Sequence, residues 1–142
     1  MPSYFDRASM PDPEITPLAE KAIQIIPTGG TVFIDAGTTM ITLAACIPLQ
    51  FQNLIITPAP SVALAALHRG ARVHLIGGAP CPEGAMATGR DAEYAVSRCI
   101  ADLCFLGACG LWPDCGLSVE DVQEAGKKVR WLSLPPKWLW SP

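Results

Sequence analysis

Residues 31–39 read TVFIDAGTT, and this short stretch is the key to the fold of the whole chain. TVFID is rich in β-branched and aromatic residues and predicts a buried strand. Ala36 and Gly37 then predict a turn, after which Thr38 or Thr39 can cap a helix that runs to about Ile47. The pattern therefore predicts a strand, a glycine-containing turn and a helix in immediate succession.

The same succession of elements is repeated on both sides of this stretch. The periodicity predicts helices at 17–26, 61–68, 91–99 and about 119–131. It predicts further strands at 54–57, 72–76 and 103–106. Apolar strands that alternate with helices indicate a parallel sheet covered by helices on both faces. We therefore expect a three-layer, Rossmann-like α/β domain, with ligands bound at the carboxyl ends of its strands.

The composition is that of one globular domain. The 142 residues are 50% hydrophobic and 16% charged, which excludes a disordered chain. The formal net charge is -3, and only Lys127, Lys128 and Arg130 form a basic cluster, so this chain alone is not expected to bind nucleic acid. Neither a signal peptide nor a membrane-spanning apolar run is predicted, so we expect a soluble cytoplasmic protein.

Six cysteines raise the question of disulfides or a metal site. They are Cys46, Cys81, Cys99, Cys104, Cys109 and Cys115. They form no C-x-x-C pair, and only two histidines are present to complete a zinc site. Most of them lie in apolar segments, where a free cysteine behaves as a small hydrophobe. We expect reduced thiols, no metal and no cofactor.

The best candidate for a binding site is Asp35-Ala36-Gly37-Thr38-Thr39. A phosphate at a helix N-terminus needs free backbone N–H groups, a close approach of the backbone and hydroxyl donors. Gly37 allows the approach, and Thr38 and Thr39 supply the hydroxyls. An ordinary turn with a threonine cap is the alternative interpretation.

Other glycines also follow predicted strands. They are Gly77 and Gly78 after the third strand and Gly107 and Gly110 after the fourth. Each alone is explained as a turn residue, but several on one rim of a sheet favour a shared anion site. On the last helix, Glu124 and Lys128 are either pocket residues or a solvated i,i+4 pair. No serine or cysteine stands at catalytic spacing from His68 or His74, so no nucleophilic triad is predicted.

Four blocks of the sequence, in order, resemble the effector-binding domain of DeoR-type transcriptional repressors. They are EKAIQIIPTGGTVFIDAGTT, LIITPAPSVALAAL, VHLIGGAP and ADLCFLGACGLWPDCGLSVEDVQEAGKK, between about residues 18 and 130. The resemblance implies a fold of the ribose-5-phosphate isomerase and CoA transferase kind. It also implies a domain that binds a phosphorylated sugar or related metabolite, forms homo-oligomers and acts on DNA only through an attached winged helix-turn-helix.

The resemblance also implies a set of site residues. The phosphate loop would comprise Asp35, Gly37, Thr38 and Thr39. The rim would comprise Thr57, Gly77, Gly78, Gly107 and Gly110. Glu124 and Lys128 match the Glu-Ala-x-x-Lys segment that closes the pocket in the family, which favours the pocket interpretation of these two residues.

Two departures from the family pattern concern the pocket. Thr57-Pro58-Ala59 replaces the Thr-Asn-Ser of the family, so two polar side chains are lost and Pro58 has no backbone donor. Cys81 stands where the family often has arginine. Without a cation at that position, anion binding is expected to be weaker.

The ends of the chain also differ from a whole repressor. No winged helix precedes residue 18, and nothing after residue 131 resembles the last strands of the family. We therefore expect a linker at 1–17, a partial sensor domain at 18–131, incomplete at its C-terminus, and an irregular tail at 132–142. The tryptophan-rich tail suggests either a truncated frame with out-of-frame residues or an aromatic interaction segment.

The leading interpretation is therefore a sugar-phosphate-binding sensor that performs no chemistry. One alternative is a phosphosugar isomerase, in which Glu124 would abstract a proton and Lys128 would stabilise the enediolate. Another is a fragment without independent function, because an incomplete sheet leaves an unpaired edge.

Overall fold

The computed structural model describes residues 13–81, 85–107, 110–112, 116–118 and 138–141, with only the backbone of 107 and of the last three ranges. The helices are α1 (Ile15–Gln24), α2 (Thr38–Ala45), α3 (Pro60–His68) and α4 (Arg90–Ser97). The strands up to the last helix are β1 (Thr31–Ile34), β2 (Leu54–Thr57), β3 (Arg72–Leu75), β4 (Ala79–Cys81) and β5 (Met86–Thr88). They are followed by β6 (Leu103–Gly107), β7 (Gly110–Trp112), β8 (Gly116–Ser118) and β9 (Trp138–Ser141).

Five parallel strands form the main sheet, in the order β3-β2-β1-β6-β9. Strand β1 lies at the centre, where Phe33 is paired with Ile56 of β2 and with Cys104 of β6. The other strands form two small antiparallel hairpins, β4-β5 and β7-β8.

Side chains of β1 enter two separate cores because successive residues of a strand point to opposite faces. Val32 and Ile34 belong to a core that contains residues of α1, α2 and α3. Phe33, between them, belongs to a second core with Ala92 and Val96 of α4. Helices therefore cover both faces of the sheet, and the predicted three-layer, Rossmann-like α/β fold is confirmed.

The structure contains strands at three places where the sequence pattern predicts none. Residues 79–81 and 86–88 form the β4-β5 hairpin, in which Pro80 is opposite Ala87. Residues 110–112 and 116–118 form the β7-β8 hairpin. The tail, expected to be irregular, contains β9, which pairs with β6 over residues 138–141. Tryptophan suits a pleated strand, and β9 supplies β6 with a second neighbour. The division of the chain at residues 17 and 131 stays a prediction.

Two further findings concern the helices and the cysteines. Within the described part of the chain, no helix combines the length and apolar character needed to cross a membrane. Of the four described cysteines, Cys81 and Cys104 are buried and Cys46 and Cys99 are half-buried. The helix predicted at about 119–131 lies outside the described residues.

Candidate functional site

The order of the strands defines a crevice between β1 and β6. From β1 the chain moves outward through β2 to β3, and it then returns to the other side of β1 to form β6. In open parallel sheets, ligands bind outside the carboxyl ends of the strands where the strand order reverses in this way. The loops that follow β1 and β6 therefore line the expected ligand position.

Asp35 follows β1 at this crevice and is completely buried. Its backbone N–H donates to the carbonyl of Phe105 on β6 at 3.0 Å. Its carboxylate accepts from the N–H of Ala36 at 2.8 Å. The carboxylate also acts on a neighbouring thiol: burial, and then the charge of Asp35, raise the pKa of Cys104 to about 12. Asp35 thus fixes the course of the turn from within the protein.

Gly37 is the residue at which the chain turns from β1 into α2. Its backbone angles, φ 127° and ψ 163°, lie in a region that is open essentially only to glycine. No side chain caps α2, and its first turn contains the half-buried Thr38 and Thr39. The first N–H groups of a helix have no acceptors within the helix. The turn therefore presents N–H donors and two hydroxyl-bearing residues at the carboxyl edge of the sheet.

The neighbouring strands place other predicted residues along the same edge. Ile34 is paired with Phe105 of β6. Asp35 is therefore level with Leu106, and Gly107 is the next residue along β6. On the other side, Phe33 is paired with Ile56, so the buried Thr57 lies beside Ile34. Thr57 is in turn paired with Leu75 of β3, two residues before Gly77. With strands about 4.8 Å apart, this rim is roughly 14 Å long.

Gly77 and Gly78 have different structural roles. Gly77 is exposed, and a Cβ atom added to it meets nothing within 4 Å. Gly78 has φ +149°, and an added Cβ atom would lie 2.7 Å from the carbonyl oxygen of Thr88 and 3.4 Å from Cβ of Ala92. Gly78 is therefore required by the packing of the rim against β5 and α4.

This contrast gives a first prediction. Gly78→Ala should lower the free energy of unfolding by about 2 kcal/mol, because the new methyl group adds backbone strain to a clash with a carbonyl oxygen. Gly77→Ala is the matched control and should change it by less than about 0.5 kcal/mol. Urea unfolding followed by circular dichroism measures both variants. Equal losses would contradict the assignment.

The two departures from the family pattern acquire structural explanations. Pro58 and Ala59 are buried, and the carbonyl of Pro58 accepts from the N–H of Ala87 at 2.8 Å, which holds the β4-β5 hairpin against the loop after β2. Cys81 is also buried, at the end of β4. The positions of the missing polar and cationic groups thus belong to the packing of this hairpin.

One polar group near the rim was not singled out from the sequence. The Ser61 hydroxyl, in the first turn of α3, is buried and has no hydrogen-bond partner within the described ranges. The one signal in the sequence that could have indicated this residue is its position at the start of a helix that follows a strand.

Of the remaining predicted residues, the structure describes only the backbone of Gly107 and Gly110. The backbone of Gly110 begins β7 and is paired with Ser118. Glu124 and Lys128 lie outside the described residues, so their place in the pocket stays a prediction. Within the described part of the chain, no group of three or more potential ligands is arranged to hold a metal ion.

Comparisons with known proteins agree with this architecture. The profile of the DeoR C-terminal sensor domain matches residues 15–133. The HTH-type transcriptional regulator GlpR of Haloferax volcanii is 32% identical over 111 residues, which are 78% of this chain and 44% of that protein. This chain thus spans less than half the length of that relative.

Two solved structures are similar to this chain. Ribose 5-phosphate isomerase A from Methanocaldococcus jannaschii matches with a TM-score of 0.58 at 9% identity, covering 87% of this chain and 49% of that one. The probable sor operon regulator from Shigella flexneri matches with a TM-score of 0.45 at 11% identity, covering 70% of this chain and 52% of that one. The likeness to the isomerase concerns the fold alone.

The family profile covers most of this chain, and the GlpR relative extends along most of it at 32% identity. The resemblance found in the four sequence blocks is thereby confirmed. The chain belongs to the DeoR C-terminal sensor domain family, the sensor part of DeoR-type transcriptional regulators.

Proposed function

We propose that this domain binds a phosphorylated sugar, or a related anionic metabolite, at the carboxyl ends of β1 and β6. The observation that carries the proposal is the conformation of Gly37 at the uncapped start of α2. A backbone region open only to glycine is costly for other residues and is typical of functional turns. The N–H groups of the first turn would receive the phosphate, as at other helix N-termini.

The site residues have distinct roles in this proposal. Buried Asp35 holds the turn in place through the N–H of Ala36 and does not itself meet the anion. Thr38 and Thr39 donate their hydroxyls to the phosphate. Thr57 and the glycines of the rim border the sugar, and Glu124 and Lys128 close the pocket over it.

Binding would regulate through an equilibrium between two states of the whole regulator. A ligand shifts such an equilibrium only as far as its affinities for the two states differ. The winged helix-turn-helix of a regulator would read out this shift on DNA, and homo-oligomers would transmit it between copies. In this scheme the domain is a sensor and performs no chemical step.

A thermal-shift experiment on this chain tests the proposal. The ligands are ribose 5-phosphate, fructose 6-phosphate and glycerol 3-phosphate, each with its unphosphorylated parent as control. A ligand at a hundred times its dissociation constant should add about 2.7 kcal/mol of stability, a shift of several degrees. Only the phosphorylated compounds should act, and Thr38→Ala combined with Lys128→Ala should abolish the shift. Equal shifts with the parent compounds, or none with any compound, would refute the proposal.

A further inference from the structure

The basic residues of the domain are distributed unevenly between the two edges of the sheet. The structure describes five of the ten Lys and Arg residues of the chain. Helices that connect parallel strands run against the strands, so α3 and α4 end at the amino edge. Helix α1 connects no two described strands, but the loop after it leads into the first residue of β1 at the same edge. Lys21 lies in the last turn of α1, Arg69 and Arg98 follow the ends of α3 and α4, and Arg72 begins β3. These four residues therefore lie at the amino edge.

Arg90 is the exception among the described basic residues. It is the first residue of α4, and it therefore lies at the carboxyl edge, on the face of the sheet opposite to α2 and across the crevice from it. A cation at the start of a helix is opposed by the helix dipole. The dipole of α4 thus disfavours a cation at Arg90, and the acidic residues of the same turn are Asp91 and Glu93.

The hairpin before α4 is fixed directly against the rim of the site. The N–H of Ala87 donates to the carbonyl of Pro58, and Pro58 continues β2 beside Asp35. The Thr88 hydroxyl donates to the carbonyl of Ala79 at 3.0 Å. Gly89, with φ +92°, then turns the chain into α4. The backbone of Arg90 is therefore held in place by these contacts. It lies three residues after Ala87, whose N–H donates to Pro58.

The Arg90 side chain is exposed, and it forms no ion pair within the described part of the structure. Asp91 and Glu93 belong to the same turn but do not pair with it. An unpaired guanidinium group on a long side chain is suited to a phosphate or carboxylate, because its fork of N–H donors matches two oxygens at once.

We propose that Arg90 supplies the cation that binds the anionic group of the effector. It does so from the start of α4, in place of a cation at the buried position of Cys81. This inference rests on the proposed function, since it concerns a further residue of the same site. It names a specificity-determining contact: Arg90 selects ligands that carry a negative charge.

Titrations by calorimetry with ribose 5-phosphate, inorganic phosphate and unphosphorylated ribose test this assignment. Arg90→Gln should weaken the binding of both phosphate probes about tenfold or more, because a charge-assisted hydrogen bond is lost. Arg90→Lys should recover most of the affinity, since it restores the charge. Arg98→Gln removes an exposed arginine from the other end of the same helix and should leave the affinity within about twofold.

The outcomes separate this assignment from the proposed function. If the unaltered chain binds the phosphate probes and Arg90→Gln binds them equally well, the assignment of Arg90 is wrong and the proposed function stands. Equal weakening by Arg90→Gln and Arg98→Gln would also overturn the assignment, because it would indicate a general effect of charge. If the unaltered chain binds neither phosphate probe, the proposed function fails and the assignment fails with it. Thermal melts without ligand confirm that the variants are folded.

Discussion

Replacing Phe33 by alanine is expected to lower the free energy of unfolding by about 3–5 kcal/mol. Phe33 is completely buried in the central strand, between Ile56 on one side and Cys104 on the other. Its ring fills the core under α4, and its removal leaves a cavity that backbone hydrogen bonds on both sides prevent from closing. Because a domain of this size is stable by only about 5–15 kcal/mol, the loss is a large part of the total.

Urea unfolding followed by circular dichroism measures this loss. Leu64→Ala is the control, because Leu64 is 63% exposed on α3 and should change the stability by less than about 0.5 kcal/mol. A Phe33→Ala protein that unfolds at the same urea concentration as the unaltered chain would show that β1 is not the centre of the sheet. The experiment therefore tests the strand order as well as the packing of one side chain.

Four of the five strands of the main sheet could be predicted from the sequence, because each is a short run followed by a glycine or a helix start. Strand β9 could not, since it lies in the tail that was expected to be irregular. Strand β2 was predicted at the residues where it is observed, and β1, β3 and β6 were predicted to within one residue. The hairpin β4-β5 was not, since Pro80, Pro82 and Gly84 within ten residues indicate a loop. Its strands depend on a tertiary contact with Pro58, which no local pattern reveals.

The candidate site could be predicted in part for a similar reason. The turn around Gly37 is a local feature of the sequence, because a strand, a glycine and two threonines follow one another. Arg90 shows no such signal. It becomes a candidate only when the topology assigns each basic residue to one edge of the sheet, and that assignment needs the crossover that returns the chain to β6. The role of Gly78 was equally hidden, since its close neighbour Thr88 is ten residues away.

Gly37→Ala is expected to weaken the binding of ribose 5-phosphate about a hundredfold or more. A Cβ atom added to Gly37 meets nothing within 4 Å, so the substitution causes no clash with neighbouring residues. Its cost is the backbone angle of φ 127°, which an alanine relieves by moving the start of α2. The N–H groups of the first turn then leave the positions from which they meet the phosphate, and the loss of one or two charge-assisted hydrogen bonds is enough for a loss of this size.

The matched control for this variant is Gly29→Ala, on the loop before β1. Gly29 also has a positive φ, of 75°, and open space around its Cβ position, but it precedes β1 and therefore lies at the amino edge of the sheet. Both variants should lose about 1–3 kcal/mol of stability through backbone strain, and only Gly37→Ala should lose affinity. Calorimetric titration with ribose 5-phosphate, at a temperature where both variants are folded, separates the two effects.

Undiminished affinity in Gly37→Ala would mean that the phosphate binds elsewhere. Equal losses of affinity in the two variants would mean that binding responds to general destabilisation. The comparison thus isolates the geometry of one turn, because the two glycines share conformational strain and differ in the edge of the sheet on which they lie.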